Sequence, residues 1–258
     1  MKSLFLGLVL VLMASLSPSW AEAPASDCPP WVKAQAVWDA ALPDLKAGGI
    51  RALSSHVDDF EQALANMDKS CETPKEADLV VLTDGMMETM IALAAAGKNF
   101  AGKKVVAIHD PYPMIALYLA SYYNETRHYA DALRVLERER SVNKGTLGDT
   151  RAALTSERAV ALGQLRRLDE ALAVYEEGLK LDNINDKGKA RMHRGRGFVL
   201  TELDRLDEAA AAYEESLKLE PGNYVATHEL EYIMKLKMGG NKAPASAPVL
   251  PGNLPKTN

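Results

Sequence analysis

Residues 168–182 read LDEALAVYEEGLKLD and residues 206–220 read LDEAAAAYEESLKLE; 11 of the 15 positions are identical and the copies start 38 residues apart. A phrase that recurs at a period of tens of residues marks a stacked repeat architecture, because one such unit cannot bury its apolar face alone and needs a neighbour. Such arrays usually bind other chains, so the phrase points to a class of function before it points to a partner.

Working outward from the phrase, helical patterns come in pairs. Met114–Tyr123 and His128–Arg140 make one pair, Thr150–Gln164 and Leu168–Leu181 a second, and Lys189–Leu203 and Leu206–Leu219 a third. Asn223 is placed to cap a last helix that ends at Gly239-Gly240. In the third pair, Gly197 stands where the first helix must pass close to its neighbour. Ala209 and Tyr213 lie on the packing face of the second helix, and Pro221 follows its end.

This pattern resembles the tetratricopeptide repeat. The second pair shares it through Ala159, Leu168, Ala171 and Tyr175, with Asn183 at the terminal proline position; the first shares it through Leu119, Ala120, Tyr123, Tyr129 and Ala132, with Lys144 there. Small residues are needed because only Gly, Ala or Ser lets two helix backbones approach closely enough to close the hairpin. The matched alanines Ala132, Ala171 and Ala209 are 39 and 38 residues apart, longer than the family period of about 34, so each junction carries an insertion. The resemblance covers residues 113–238 and implies an all-α, helical-hairpin solenoid.

The chain before the repeats reads as a separate helical unit over residues 22–97. Trp31, Ala34, Trp38 and Ala41 fall at helical spacing, and Pro43 with Gly48-Gly49 ends that pattern; Ile50, Leu53, Val57, Phe60, Leu64 and Met67 then form a second apolar face. Whether these two helices are a degenerate further repeat, through Phe60 and Ala63, stays open. Thr73-Pro74-Lys75-Glu76 reads as a capping box that opens a third helix running to Gly97. Residues 98–113, KNFAGKKVVAIHDPYP, have a short β-branched run and no helical period, and read as the connector to the array at 114–238. Residues 239–258 are proline-rich with nothing to bury and read as disordered.

Residues 1–21, MKSLFLGLVLVLMASLSPSWA, have the charged start, apolar run and small residues of a secretory signal peptide, cleaved after Ala21. The apolar stretch Leu79–Ala96 contains Asp84 and Glu88, which are costly in a bilayer, so no membrane span is expected after cleavage. The expected location is periplasmic or secreted. In an oxidising compartment Cys28 and Cys71, at the two outer ends of the N-terminal hairpin, are expected to form a disulfide. A formal net charge of −5 with no long basic run argues against a nucleic-acid partner.

Chemistry is sparse. The five histidines His56, His109, His128, His193 and His228 form no HExxH arrangement, and no Gly-rich phosphate loop is present. His228 and Glu231 share a helix face, and Met86, Met87 and Met90 share another, but the first reads as a solvated pair and the second as core. No catalytic residue, cofactor or metal is expected.

In the resembled family the first helix of each pair lines the concave face. Carried over by position, this implies Leu117, Ser121 and Asn124 from the first repeat and Ser156, Val160 and Gln164 from the second. The third gives Arg191, Arg194, Phe198 and Thr201, and the last helix Val225, His228, Tyr232 and Lys235. The peptide-binding set drawn from these is Asn124, Gln164, Arg191, Arg194, Phe198, His228, Tyr232 and Lys235. Its C-terminal half is basic and aromatic, which suits an acidic or carboxylate-terminated peptide of another envelope protein; alternatively Arg191 and Arg194 are solvated or pair with Glu157, Glu202 or Glu229. The expected function is an exported scaffold or adaptor. Self-assembly into a structural component is the alternative, ahead of a helical enzyme or metal-handling protein.

Overall fold

A computed structural model describes residues 29–68, 79–83, 105–142, 148–182 and 184–240. In order the elements are α1 (Pro29–Gly48), a 3-10 helix (Ile50–Ser55), α2 (Val57–Ala65), β1 (Leu79–Thr83), β2 (Val105–His109), α3 (Tyr112–Glu125), α4 (Tyr129–Val142), α5 (Gly148–Gln164), α6 (Leu168–Gly178), α7 (Asp186–Glu202), α8 (Leu206–Leu219) and α9 (Tyr224–Lys237).

The pairs α3–α4, α5–α6 and α7–α8 each close with the same turn. Arg127, Arg166 and Asp204 adopt left-handed φ values of 66°, 61° and 63°. The residue after each reaches back to a carbonyl five positions earlier: His128 N to Tyr123 O at 2.7 Å, Arg167 N to Leu162 O at 2.9 Å, and Arg205 N to Leu200 O at 2.9 Å. These bonds satisfy carbonyls that a helix end would otherwise leave bare. A left-handed residue with a side chain costs about 1 kcal/mol, and the same cost is accepted three times in register. The next helix then starts, in the second and third pairs, on a repeated fork. Arg167 Nε and Nη2 donate to Glu170 at 2.7 and 2.7 Å, and Arg205 makes the same pair with Glu208.

Packing follows the small residues. Ala120, Ala132, Ala159, Ala171 and Ala209 are fully buried, with Tyr175 and Tyr213 inserted between helices. Gly197 gives way to the ring from its own repeat: a Cβ there would lie 2.8 Å from Tyr213 Cε2. One continuous core runs from Ala34 on α1 to Ile233 on α9. Asn223 caps α9 through its side chain, accepting from Ala226 N at 3.1 Å. Asn185 caps α7 in the same way, from Gly188 N at 2.8 Å, so α7 starts three residues before the expected Lys189.

The N-terminal unit joins this core. Trp38 meets Tyr118 edge-on at 4.9 Å, and Phe60 is fully buried. Polar ties surround the contact. Arg134 donates to both oxygens of Glu61 at 2.6 and 3.2 Å, Tyr123 Oη donates to Glu61 at 2.7 Å, and Arg51 bonds Glu125 at 2.7 Å. Burial pushes the Glu61 carboxyl up, but the hydrogen bonds from Arg134 and Tyr123 outweigh it and hold it below the usual range. The unit packs on α3 as a preceding helix pair would, yet α1 and α2 are joined through the 3-10 helix and not by the left-handed turn of the three repeats.

Two expectations need correction. The apolar face read as one helix from Ile50 to Met67 is broken into a 3-10 helix and α2, because His56 lies outside helical geometry with φ −121°. The helix expected from Thr73 to Gly97 is not continuous: Leu79–Thr83 is a strand, paired in parallel with Val105–His109, Leu79 opposite Val105 and Thr83 opposite His109. Val80, Val81 and Thr83 are β-branched, and a short apolar run has the same hydropathy in a buried helix as in a strand. The all-α solenoid therefore carries a two-stranded pairing between α2 and α3. The signal peptide, Cys28, Cys71, the methionines at 86, 87 and 90, and residues 241–258 lie outside the described residues.

Candidate functional site: the face of the first helices

The first helices α3, α5, α7 and α9 supply the surface, with α5 packed on α3 and α7 on α5. Asn124 sits at the end of α3, Glu157 on α5 and Arg191 near the start of α7. They form a ladder across the three repeats. Asn124 Nδ2 donates to the Glu157 carbonyl at 3.0 Å and to its Oε2 at 2.7 Å; Arg191 Nη2 donates to Glu157 Oε1 at 2.5 Å. Asn124 and Glu157 are 3% and 4% exposed, whereas the Arg191 side chain keeps 29%. Asn124 Oδ1 is buried with no hydrogen-bond partner among the described residues.

Tyr175 lies beside this ladder. Burial raises its hydroxyl pKa, Arg191 opposes the rise, Glu157 adds to it and Ser156 opposes it. All three groups therefore converge on one aromatic side chain of the neighbouring second helix.

Arg194, three residues after Arg191, faces the other way. Its Nη1 donates to Ser216 Oγ on α8 at 3.1 Å and to a carboxylate oxygen of Glu220, just past the end of α8. The sequence places Arg191 and Arg194 one turn apart on one helix; the structure sends one to α5 and the other to the α8 end. Of the pairings weighed from the sequence, Arg191 with Glu157 is present, and Arg194 takes Glu220 instead of Glu202 or Glu229.

The other expected positions divide by burial. Ser156, Val160 and Thr201 are buried, and Thr201 Oγ1 donates to Gly197 O at 2.9 Å within its own helix. Leu117, Ser121, Gln164, Phe198, Val225 and Tyr232 are half-buried, and His228 and Lys235 are exposed. His228 stacks on Tyr224 at 5.9 Å. Glu220 is the residue that the sequence reading misses; Glu157 enters that reading as a pairing partner of the arginines and not as a member of the binding set. Asn124, Glu157 and Arg191 are 33 and 34 residues apart, short of the 39- and 38-residue repeat, so they stand at the end, the middle and the start of successive first helices and are not equivalent positions of the repeat.

Elsewhere, a cleft between α4, α5 and the end of α6 is lined with ion pairs: Arg151 with Glu139 at 3.0 Å, Arg158 with Glu137 at 2.6 Å and Arg140 with Glu177 at 3.1 Å. No helix among the described residues is long and apolar enough to cross a membrane.

Residues 157–185 and 194–223 match the family model described as Tetratricopeptide repeat, so the chain carries tetratricopeptide repeats over these two segments, which hold both copies of the phrase and, of the ladder, Glu157. Among solved structures, the first TPR domain of human RPAP3 is similar at 22% identity and TM-score 0.44, covering 50% of this chain and 94% of that one. The first TPR of Spaghetti (RPAP3), bound to the HSP90 peptide SRMEEVD, is similar at 22% identity and TM-score 0.43, covering 49% and 94%. A thermophilic TPR protein of Thermus thermophilus is similar at 17% identity and TM-score 0.41, covering 78% and 98%. No curated protein sequence matches the chain.

Proposed function

We propose that the protein is an exported scaffold or adaptor that holds an extended or helical peptide of another envelope protein against the face of its first helices. The observation that carries this reading is the ladder Asn124–Glu157–Arg191, which locks three first helices into one surface. A surface fixed in this way is already ordered before a ligand arrives, which lowers the cost of binding. Beside the ladder, Leu117, Gln164, Phe198 and Tyr232 are only half-buried and offer contact area on four successive first helices. Helical-repeat proteins carry out protein–protein interaction through such extended faces.

The test is affinity capture from envelope extract with the mature chain as bait. A partner that binds this face is captured by wild type and lost with Phe198→Asp, while a charge reversal on the second-helix side, Glu177→Lys, leaves capture intact. Equal capture by wild type and Phe198→Asp would move the interaction to the second helices or the N-terminal unit.

One observation favours self-assembly as a second reading. The last helix and the residue after it expose Tyr224, Met234 and Met238 at 72%, 58% and 79%, and a terminal helix of a solenoid ordinarily presents a polar outer face. Light scattering on the purified chain separates the two, since a monomer at all concentrations excludes self-assembly.

A further inference from the structure

We infer that Glu157 is the specificity-determining residue of the first-helix face: its carboxylate already occupies the Arg191 guanidinium, so the groove takes peptide segments with uncharged side chains and rejects acidic ones. The inference rests on that face being the binding surface and names the chemistry of what it binds.

Glu157 is not a loosely held surface carboxylate. It is 4% exposed, and Asn124 holds it from the far side with two hydrogen bonds, to its carbonyl and to Oε2, while Arg191 takes Oε1. A ligand carboxylate that took Arg191 would leave the Glu157 charge buried without its counter-ion, and stranding a buried charge costs more than a new surface contact returns. Arg191 presents further N–H donors beyond the Nη2 bonded to Glu157, but they belong to a pair that is already neutral. Such donors suit a main-chain carbonyl better than a second carboxylate. The other guanidinium expected to attract acid is filled in the same way, with Arg194 bonded to Glu220 and Ser216. What remains of the face on α3, α5 and α7 at the expected positions is uncharged, with Leu117, Gln164 and Phe198 half-buried; the exposed Lys235 lies apart on α9. A sequence rich in arginine on its first helices thus yields a groove whose charge is satisfied from within.

The experiment uses two small probes on the full mature chain, N-acetyl-alanyl-alanine with a free carboxylate and its C-terminal amide. Chemical shifts of the Arg191 Nε–Hε pair and of the α5 and α7 amides report binding. Wild type is expected to show no preference for the acid over the amide at Arg191. Glu157→Gln, which keeps the shape and the Asn124 contact but removes the charge, is expected to bind the acid about tenfold more tightly, the size of one charge-assisted hydrogen bond. Adding Arg191→Ala to Glu157→Gln should abolish that gain. A wild-type chain that binds the acid tenfold better than the amide through Arg191 overturns the inference, and so does a folded Glu157→Gln chain with no gain. If Glu157→Gln does not fold, the wild-type titration alone decides between the two outcomes. Neither probe depends on the envelope partner, so a failed capture experiment and a failed titration are told apart.

Discussion

Tyr175 fills the space that a side chain at Gly195 would need: a Cβ built on Gly195 would lie 2.2 Å from Tyr175 Cζ and 2.4 Å from its hydroxyl oxygen. Tyr175 and Tyr213 are the same position of the repeated phrase, and each ring lies on a glycine of α7, Tyr175 on Gly195 from the repeat before and Tyr213 on Gly197 from its own. The tetrapeptide Arg194-Gly195-Arg196-Gly197 is therefore the seam between two repeats.

Gly195→Ala is expected to destabilise the array by about 1–3 kcal/mol, the usual cost of forcing a methyl group into a filled core, even though alanine favours a helix over glycine. Tyr175→Leu in the same chain should recover part of the loss. Denaturant midpoints measure both, and a Gly195→Ala protein as stable as wild type would mean that the Tyr175 ring can move aside.

Arg191→Ala leaves the buried Glu157 carboxylate without its counter-ion and should cost about 3–5 kcal/mol. The double variant Glu157→Gln, Arg191→Ala should cost less than Arg191→Ala alone. The sequence by itself suggests that Arg194→Ala changes binding and leaves the melting temperature nearly unaltered. With buried Ser216 and Glu220 as its partners, it should instead lower stability by about 1–3 kcal/mol. Thermal melts of the four chains check the ordering.

Glu61 makes the contact between the N-terminal unit and the first repeat acid-sensitive. Its folded pKa lies below its unfolded one, so its contribution is present above the unfolded carboxylate pKa and is lost as pH falls through the folded value. Hydrogen exchange in α1 and α2 should therefore speed up below the ordinary carboxylate range, and Glu61→Gln should flatten that dependence.

Glu229 has the opposite sign. Burial raises its pKa, with His228 pulling it down by a smaller amount. A carboxyl with a raised folded pKa loses stability as pH climbs from its unfolded pKa through its folded one. Glu229→Gln should accordingly stabilise the chain at neutral pH and make little difference in acid. A destabilised Glu229→Gln protein at neutral pH would show that the carboxylate has a favourable partner in solution.

Export is tested on the secreted material itself. Intact mass should place Glu22 first, and non-reducing peptide mapping should find Cys28 joined to Cys71. A chain that starts at Met1, or one with both thiols free, removes the corresponding part of the proposal.

The hairpins are legible in the sequence because the same apolar spacing, small residues and turn recur at a fixed interval; Ala171 and Ala209, or Tyr175 and Tyr213, identify each other. The break at His56 is not, since the apolar positions from Ile50 to Met67 keep helical spacing through it and only the backbone departs. Leu79–Thr83 reads as helix because a strand's identity depends on a partner, and Val105–His109 is 26 residues away in register. In the site, the residue positions on first helices are readable and the destinations of their side chains are not. Arg191 and Arg194 look equivalent in sequence, yet which acid each one meets depends on how α5 and α8 flank α7.

The two kinds of connection in the array differ in how strictly they are set. Within a pair, three residues always separate the helices: 126–128, 165–167 and 203–205. Between pairs the gap is five residues at 143–147 and seven at 179–185, and four residues at 220–223 separate the third pair from α9. The unit of inheritance in this chain is thus the closed hairpin, and its edges fall between pairs. Duplication, deletion or recombination that cuts there can lengthen or shorten the array while leaving every left-handed turn whole, whereas one residue gained or lost at Arg127, Arg166 or Asp204 would rotate a second helix off its partner and spoil the copy.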